Sequence, residues 1–365
     1  MATLWGPIIA AFVVVGLSQG LADFGAWRDI VIALAIIGVI AVYPGGLFAV
    51  LQELRHQLDR VYTAWRARWV RQSTASDRDR LMGVPDRLIQ TRHGAISVCD
   101  TERGDQTVVM VHGNSSCKEV FHHQFAALRD RYRVVAFDLP GHGVSANGAP
   151  ERDYNLDAYA SILAELVDRL QLGSPVVVGW SLGGYVAIEY AAAGHPTAGL
   201  VITGTSPIGQ YPEDMPKGYI PTPHMELAGK RFHSRHEKAQ YATHTTGLAR
   251  ADTPFAWQAV YRCDGEARKR AFAAFKTVDW PRQLALWRTD PLPIAMLNGR
   301  SDPFINPEYC DRQCEGAVGL VTNHPFVDVG HAPFLEAPTA FNAVLEQVLT
   351  DCLSKQQASV EGPSG

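Results

Sequence analysis

One serine between two glycines constrains this chain more than any other feature: the run Gly-Trp-Ser-Leu-Gly at residues 179–183. The apolar residues at 175–178 favour a buried strand, and the residues at 185–191 favour a helix. The pattern predicts a strand, a sharp turn and a helix, with Ser181 at the tip of the turn. Such a turn leaves little room for side chains two positions away, and it aims the helix N-terminus at the hydroxyl. We interpret Ser181 as a nucleophile.

A serine nucleophile needs a base, and the base needs an acid that orients it. His331 follows residues 325–329, which we predict to be a short strand, and it lies between a glycine and a proline that favour a loop. Asp302 follows a second predicted strand at 293–298 and also lies in a loop. The predicted triad is therefore Ser181, Asp302 and His331, in that order along the chain.

Acyl transfer also needs hydrogen-bond donors for the oxyanion that forms at the carbonyl. A predicted strand at 107–111 ends in His-Gly-Asn-Ser-Ser, and Gly113 lets the backbone turn closely there. We predict that the backbone amides of Asn114 and Leu182 form the oxyanion hole, with the amide of Ser115 as the alternative to that of Asn114. Losing one such donor typically costs about 3–4 kcal/mol of transition-state stabilisation.

From about residue 86 to residue 352 the chain resembles the α/β-hydrolase superfamily, in particular its serine-nucleophile esterases and lipases. The resemblance rests on the nucleophile turn, the order of the triad, the loop Asp-Leu-Pro-Gly-His-Gly-Val-Ser at 138–145 and the spacing from Gly299 to Pro307 around the acid. The pairing of Gly-Trp-Ser-Leu-Gly-Gly with His-Ala-Pro-Phe is similar to the carboxylesterases that cleave pimeloyl-acyl-carrier-protein methyl ester. The resemblance implies an α/β-hydrolase fold, with a mostly parallel sheet flanked by helices.

Residues 208–287 lie between two predicted core strands, and about eighty residues are too many for a plain loop. The resemblance implies that this segment is a helical lid over the active site. Between residues 217 and 276 it has eleven Lys or Arg and five acidic residues, a net charge of +6. This charge either steers an anionic carrier, lies against lipid headgroups, or belongs to a solvated helical face. We expect Ser115, Trp180 and Phe334 to line the substrate pocket.

These residues predict two-step acyl transfer to water. His331 takes the proton of Ser181 as the hydroxyl attacks an ester carbonyl, and Asp302 holds the imidazole in the required tautomer. This chemistry needs no metal and no organic cofactor. We predict a carboxylic ester hydrolase that acts on acyl or lipid-like esters. Two alternatives keep the same triad: an acyltransferase or perhydrolase, and a hydrolase of acyl-carrier-protein esters or thioesters.

The net charge and the cysteine content limit the classes of partner that this chain is expected to bind. The net charge is −4 and the pI is near 6.3, so there is no reason to expect a nucleic acid. The six cysteines are scattered, and Cys310 and Cys314 have no second pair of ligands beside them, so we expect thiols that are buried or reduced and no metal site. The expected partners are an ester substrate and a membrane.

The membrane is expected because the first 52 residues predict a transmembrane helical hairpin. Residues 1–22 and 30–52 contain no charged side chain, and each stretch can span a bilayer core, which takes about 20 residues. A single span and an interfacial hairpin are the alternatives, because Pro-Gly-Gly at 44–46 interrupts the second stretch. A secretory signal peptide fits less well, since the first stretch lacks a basic start.

Seven arginines between residues 55 and 80 indicate the orientation, since the loop between the two stretches has only one. By the positive-inside tendency the catalytic domain, 86–352, is expected on the cytoplasmic side. Residues 53–85 combine a predicted amphipathic helix with a linker, and the helix lies either at the membrane interface or on the hydrolase core. At the other end, the small and polar residues at 353–365 predict a disordered tail.

Overall fold

The computed structural model of the chain describes residues 30–33, 81–249, 252–315, 317 and 321–360. The chain divides into two compact units, Met1–Trp69 and Val70–Gly365. The predicted hairpin at 1–52 lies outside the described residues apart from 30–33, and so does the predicted amphipathic helix and linker at 53–85 apart from its last five residues. Within the described ranges, no helix combines the length and the apolar character needed to cross a bilayer.

The described residues of the second unit form one eight-stranded sheet. Its strands are β1 (Arg87–Thr91), β2 (Gly94–Asp100), β3 (Thr107–Val111), β4 (Arg133–Phe137), β5 (Val176–Trp180), β6 (Gly199–Thr203), β7 (Ile294–Met296) and β8 (Val321–Asn323). The spatial order is β1-β2-β4-β3-β5-β6-β7-β8. Pairing is antiparallel from β1 to β2 and from β2 to β4, and parallel from β4 through to β8. The predicted mostly parallel sheet is therefore confirmed.

Helices connect these strands and cover both faces of the sheet. Those before the lid are α1 (His122–Leu128), α2 (Pro150–Asp153), α3 (Leu156–Arg169) and α4 (Leu182–Ala192). The lid segment contains α5 (Met215–Gly218), α6 (Pro223–Gly229), α7 (Arg235–Thr246), α8 (Pro254–Arg262), α9 (Gly265–Ala274) and α10 (Trp280–Arg288). After the lid come α11 (Pro307–Cys314), α12 (Pro333–Glu336) and α13 (Pro338–Val360).

The central strands are apolar along their whole length, as expected for parallel strands that are covered on both faces. Every residue of β3, β5 and β6 is buried. Side chains alternate between the faces, so on β5 Val177 joins the core layer formed with α3 and α4. Val178 and Trp180 join the layer formed with α1 and α13. This parity decides which side chains of the nucleophile strand are available to a substrate.

Local sequence signals set the limits of the lid helices. Proline lies in the first turn of α5, α6, α8 and α10, where its missing N–H costs nothing. The helix α7 begins with a capping box in which Ser234 and Glu237 each bond to the other's backbone N–H. It ends at Gly247, whose φ of 69° is left-handed. The lid is thus a set of short, separately capped helices.

Two boundaries differ from the sequence predictions. Residues 325–329 are not a strand: β8 lies earlier, at Val321–Asn323, and only Phe326 forms an isolated bridge, with Gly299. The N–H of Phe326 still donates to the carbonyl of Asn298 at 2.9 Å, but Asp328 has a φ of 58°, which ends the extended backbone in a turn that leads to His331.

The C-terminal helix is the second difference. It continues to Val360, well past residue 353, where we placed the start of a disordered tail. Cys352 and Leu353 are both buried in the core, and their packing carries the helix past the predicted boundary. The six cysteines, all among the described residues, form no disulfide, and five of them are buried.

Candidate active site

Ser181 sits at the turn between β5 and α4, and the predicted strand, turn and helix are all present. Its φ of 54° and ψ of −116° are strained for a residue with a side chain, and its N–H donates to the carbonyl of Thr203 at 2.8 Å. A Cβ on Gly183 would lie 2.0 Å from the carbonyl oxygen of Val111, and one on Gly179 would lie 2.3 Å from that of Gly183. Only glycine fits on either side of this serine.

The structure brings His331 and Asp302 together from two different loops. The Nδ1 of His331 lies 2.8 Å from Oδ2 of Asp302, and both side chains are buried. The other carboxylate oxygen accepts hydrogen bonds from the backbone N–H groups of Phe304 at 2.8 Å and Ile305 at 3.1 Å. The carboxylate is therefore held from two sides, with one oxygen committed to the imidazole.

The loop that carries His331 is held by groups that the sequence analysis did not identify. The carboxylate of Glu336 accepts the N–H of Gly330 at 2.8 Å and that of Ala332 at 3.0 Å, one on each side of the histidine. The indole N–H of Trp180 donates to the carbonyl of His331 at 2.9 Å. The only sequence signal for Glu336 was an acid five residues after a loop histidine, at the end of a one-turn helix. It fixes the backbone from which the imidazole extends.

Ser181 and His331 line one cavity of about 350 Å³ beneath the lid. Asn114 and Leu182, the predicted oxyanion residues, line the same cavity. Most of the remaining wall is apolar and aromatic; it includes Tyr185, Met215, Tyr219, Ile220, Met225, Ala228, Tyr241, Phe272, Phe275, Phe304 and Ile305. The structure therefore collects the predicted nucleophile, base and oxyanion residues at one largely apolar cavity. Within the described ranges, no group of three or more His, Cys, Asp or Glu side chains could hold a metal ion.

A neutral histidine orients the predicted oxyanion loop. The N–H of Leu139 donates to Nε2 of His112 at 3.0 Å, so Nδ1 carries the proton and donates to the carbonyl of Gly113 at 2.7 Å. That carbonyl belongs to the same peptide group as the N–H of Asn114. Burial, together with the nearby ring of His142, lowers the pKa of His112 to about 4, so the imidazole is neutral at pH 7.

The three predicted pocket residues lie outside the cavity wall. Trp180 and Phe334 are buried in the core layer behind His331, with their ring centroids 5.2 Å apart. Trp180 shares strand parity with Val178, so its side chain faces that layer. Ser115 is also buried, and its hydroxyl donates to Oδ1 of Asn114 at 3.2 Å. All three support residues that line the cavity.

The positive charge of the lid is mostly paired or buried. Arg262 and Arg268 are buried, so neither adds to the surface potential. Four other basic residues form ion pairs: Lys217 with Asp214, Lys230 with Glu237, Arg231 with Glu266, and Arg270 with Glu151. Exposed pairs of this kind are worth little in stability and cancel much of the field around them. Of the three alternatives considered above, this pairing is most consistent with a solvated helical face.

Comparison with known proteins bears on the chemistry of this site. The α/β hydrolase family profile matches residues 108–344. The solved structure of N-acyl homoserine lactonase AidH complexed with N-butanoyl homoserine is 34% identical, with a TM-score of 0.67, over 74% of this chain and 97% of that one. Pimeloyl-[acyl-carrier protein] methyl ester esterase of Neisseria meningitidis is 27% identical over 68% of this chain and 78% of its own length. The esterase RhEst1 from Rhodococcus sp. ECU1013 shares the fold at 23% identity, with a TM-score of 0.57, over 73% of this chain and 98% of that one.

The resemblance drawn from the short motifs is confirmed by these matches. The family profile covers more than half of the chain, and the matched region contains the nucleophile turn, the acid loop and the histidine loop. The curated relative is an esterase, and the two solved structures, a lactonase and an esterase, share the fold. The chain belongs to the α/β hydrolase family.

Proposed function

We propose that this chain is a serine hydrolase that cleaves carboxylic esters with short to medium acyl groups. The observation that carries the proposal is the shared cavity, in which Ser181 at a strained turn faces the same space as His331, whose Nδ1 is bonded to Asp302. A hydroxyl, an imidazole and an orienting carboxylate in this relation are the components of acyl transfer through a covalent intermediate.

In the proposed mechanism His331 removes the proton of Ser181 as the hydroxyl oxygen attacks the ester carbonyl. The backbone N–H groups of Asn114 and Leu182 stabilise the oxyanion; neither donates a hydrogen bond to another group of the described residues. His331 then protonates the departing alcohol, which leaves an acyl group on the serine. A water molecule deprotonated by His331 then attacks the acyl-enzyme; the bond to the Ser181 oxygen breaks, His331 returns the proton to that oxygen, and the acid is released. Asp302 keeps the proton of the neutral imidazole on Nδ1 and stabilises the imidazolium.

The size of the cavity limits the length of the acyl group that fits above Ser181. An engineered cavity of about 150 Å³ holds one benzene molecule. The cavity above Ser181, at about 350 Å³, therefore accommodates on the order of a dozen carbon-sized atoms. This is enough for a short or medium acyl chain with part of its leaving group, and too little to enclose a long-chain lipid. Phe272 and Ile220, which line the cavity, are partly exposed and mark its rim.

A lactone is the second candidate substrate. The lactonase that matches this chain is 34% identical over nearly its whole length, and its structure was solved in complex with N-butanoyl homoserine. A lactone is a cyclic ester, so the same attack by Ser181 opens the ring and no separate alcohol leaves. An N-acyl homoserine lactone with a short acyl chain also falls within the size range of the cavity. We therefore include it beside open-chain esters.

The test is a chain-length series of aryl esters from acetyl to hexadecanoyl, run with N-butanoyl and N-hexanoyl homoserine lactone. We expect the highest kcat/KM between about four and eight acyl carbons, and a loss of at least about 10⁴-fold in Ser181→Ala. Ser301→Ala, an exposed serine beside Asp302, is the matched control and should keep full activity. A fluorophosphonate should label the wild type and leave Ser181→Ala unlabelled. Equal hydrolysis by Ser181→Ala would overturn the proposal.

The two alternatives that keep the triad differ in acceptor or in substrate. An acyltransferase or perhydrolase would pass the acyl group to an added alcohol or to hydrogen peroxide in preference to water, and product analysis separates these outcomes. An acyl-carrier substrate would give a rate that falls steeply with salt, because its recognition would depend on exposed cations. The pairing of the lid cations favours the small ester.

We also propose that residues 1–52 anchor the enzyme in a membrane, with the hydrolase domain in the cytoplasm. The uncharged stretches and the arginine-rich segment that follows them support this proposal. The full chain should remain in the membrane fraction after alkaline carbonate extraction, and protease added outside intact spheroplasts should not cleave the hydrolase domain. Recovery of the full chain in the carbonate-soluble fraction would contradict the anchor.

A further inference from the structure

The predicted oxyanion residue Asn114 is held by the lid as well as by its own loop. Its side-chain Nδ2 donates to the carbonyl of Ala228, at the end of α6, at 2.9 Å. The hydroxyl of Tyr241, on α7, donates to the backbone carbonyl of Asn114 at 3.3 Å. The Oδ1 of the Asn114 side chain accepts a hydrogen bond from the hydroxyl of Ser115, a residue that itself has a strained φ of 58°. The loop therefore takes its shape partly from helices that are inserted between β6 and β7.

Behind Ser115 lies a buried arginine of the lid. Arg268, on α9, is 2% exposed, and its Nε donates to the hydroxyl oxygen of Ser115 at 2.7 Å. Its terminal nitrogens donate to the backbone carbonyls of Lys230, Arg231 and Val260 at 3.2 to 3.4 Å. The guanidinium thus joins three parts of the lid to one hydroxyl of the catalytic domain.

This arginine forms no ion pair with a carboxylate among the described residues, although a buried charge is costly unless it is paired. The four hydrogen-bond acceptors that surround it are all neutral oxygens. A Leu or Met at residue 268 would fill the same volume without that desolvation cost. The arrangement is therefore a poor device for stability alone, and it has a second effect: Nε sets the position of the Ser115 hydroxyl, which in turn bonds to the side chain of Asn114.

We propose that Arg268 is a positioning residue for the oxyanion hole, acting through Ser115 on the peptide that carries the Asn114 N–H. This inference rests on the proposed function and specifies how the lid regulates it. Opening the lid to admit a substrate separates Arg268 from Ser115 and Ala228 from Asn114, which releases the loop. The oxyanion hole is complete only when the lid is closed, so substrate enclosure and catalytic competence are one event.

The test compares Arg268→Met, Ser115→Ala and the double variant on the best aryl ester of the chain-length series. Displacing an oxyanion donor lowers the rate of the chemical step and leaves the binding of the substrate ground state unchanged. We expect kcat to fall about 30- to 100-fold in each single variant, with KM within about threefold of the wild type. The inhibition constant of an alkyl trifluoromethyl ketone, which forms an oxyanion on Ser181, should rise by the same factor as kcat/KM falls. The kcat of the double variant should be no lower than that of the less active single variant, because both substitutions break the same chain of hydrogen bonds.

Arg270→Met is the matched control, since it removes an arginine from the same helix, one that bonds to Glu151 on α2 and to Glu266 on α9. It should leave kcat within about threefold. The inference is overturned if Ser115→Ala and Arg268→Met keep the wild-type kcat, if their loss is in KM alone, or if Arg270→Met loses as much. If Arg268→Met fails to fold, the kcat of Ser115→Ala and its inhibition constant for the trifluoromethyl ketone test the inference. Failure of the proposed function itself is a different result, in which Ser181→Ala hydrolyses as fast as the wild type.

Discussion

The ends of the core strands and the helical lid build the two halves of this site in different ways. Ser181, Asp302 and His331 follow β5, β7 and β8. The loops that carry them are fixed by hydrogen bonds to their backbone, such as that from Ser181 N–H to Thr203 and those from the N–H groups beside His331 to Glu336. The lid reaches the same cavity through side chains such as Tyr241 and through helix ends. The strand ends place the reacting groups, whereas the lid determines the volume and the walls around them.

This difference separates two kinds of effect. A change at a strand end alters a reacting group that the sheet holds in place, so the chemistry fails while the fold persists. A change in the lid alters positions that depend on a few side-chain hydrogen bonds, so rate and selectivity change by smaller factors. The predictions below test this contrast.

Asp302→Asn should have the largest effect. The asparagine oxygen can still accept the N–H groups of Phe304 and Ile305, but its amide then presents an N–H to Nδ1 of His331. The imidazole must accept there and carry its proton on Nε2, so it can no longer take the proton of Ser181. We expect kcat to fall about 10⁴-fold with little change in the free energy of unfolding.

The control for this variant is Asp311→Asn, which removes a surface carboxylate that pairs with Arg300. It lies on α11, only nine residues further along the chain, and should keep its activity within about twofold. A small loss in Asp302→Asn, comparable with that of the control, would show that the carboxylate does not orient the base. The strand-end half of the comparison would then fail.

The sequence was sufficient for the strand-end half because each feature is local. Alternating glycines around Ser181 predict the turn, since no other residue fits at Gly179 or Gly183, and short apolar runs predict the strands that precede the acid and the nucleophile. The run before His331 was the exception. Its apolar residues resembled those of a strand, yet the strand lies earlier, at Val321–Asn323, and Asp328, with a φ of 58°, turns the chain toward His331.

Glu336→Gln should have an intermediate effect. The carboxylate accepts the N–H groups on both sides of His331, and a glutamine has only one acceptor oxygen for two donors. One buried N–H is left without a partner, which costs about 1–3 kcal/mol of stability and loosens the loop. We expect kcat to fall about tenfold with KM nearly unchanged, together with a lower Tm.

The control here is Glu346→Gln, on α13, whose carboxylate pairs with Arg131 at the surface. It should keep both kcat and Tm. A lower Tm in Glu336→Gln without a change in kcat would show that Glu336 has a structural role only. A fall in KM alone would also contradict its role in positioning the histidine.

Residues such as Glu336 and Arg268 were beyond sequence analysis for a physical reason. Arg268 bonds to Ser115, which is 153 residues away in the chain. Glu336 bonds to the N–H groups of Gly330 and Ala332, which are close in sequence but lie in a turn where the sequence predicted the end of a strand. No local pattern records which buried polar groups will meet after folding. The pocket predictions failed similarly: Trp180 and Phe334 are near the triad in sequence, but strand parity and burial direct them into the core.

The smallest expected effect is on stability at low pH, and it compares a histidine from each half. Burial lowers the pKa of His112 from its ordinary 6.5 to about 4, and burial together with Arg268 lowers that of His233, on the lid, to about 4. In the unfolded chain both rings take up a proton near pH 6.5, whereas in the folded chain they do not. Their contribution to stability is therefore complete above pH 6.5 and is lost as the pH falls from 6.5 toward 4.

Urea unfolding at pH 7, 6 and 5 measures this contribution. In His112→Gln, which cannot titrate, the loss of stability between pH 7 and pH 5 should be smaller than in the wild type by at most about 2 kcal/mol. His233→Gln should reduce that loss by less, because its ring is partly solvated and the lid can open locally. If the two variants reduced it equally, the lid would be as tightly held as the strand ends. The contrast between the two halves would then lie in their chemistry and not in their stability.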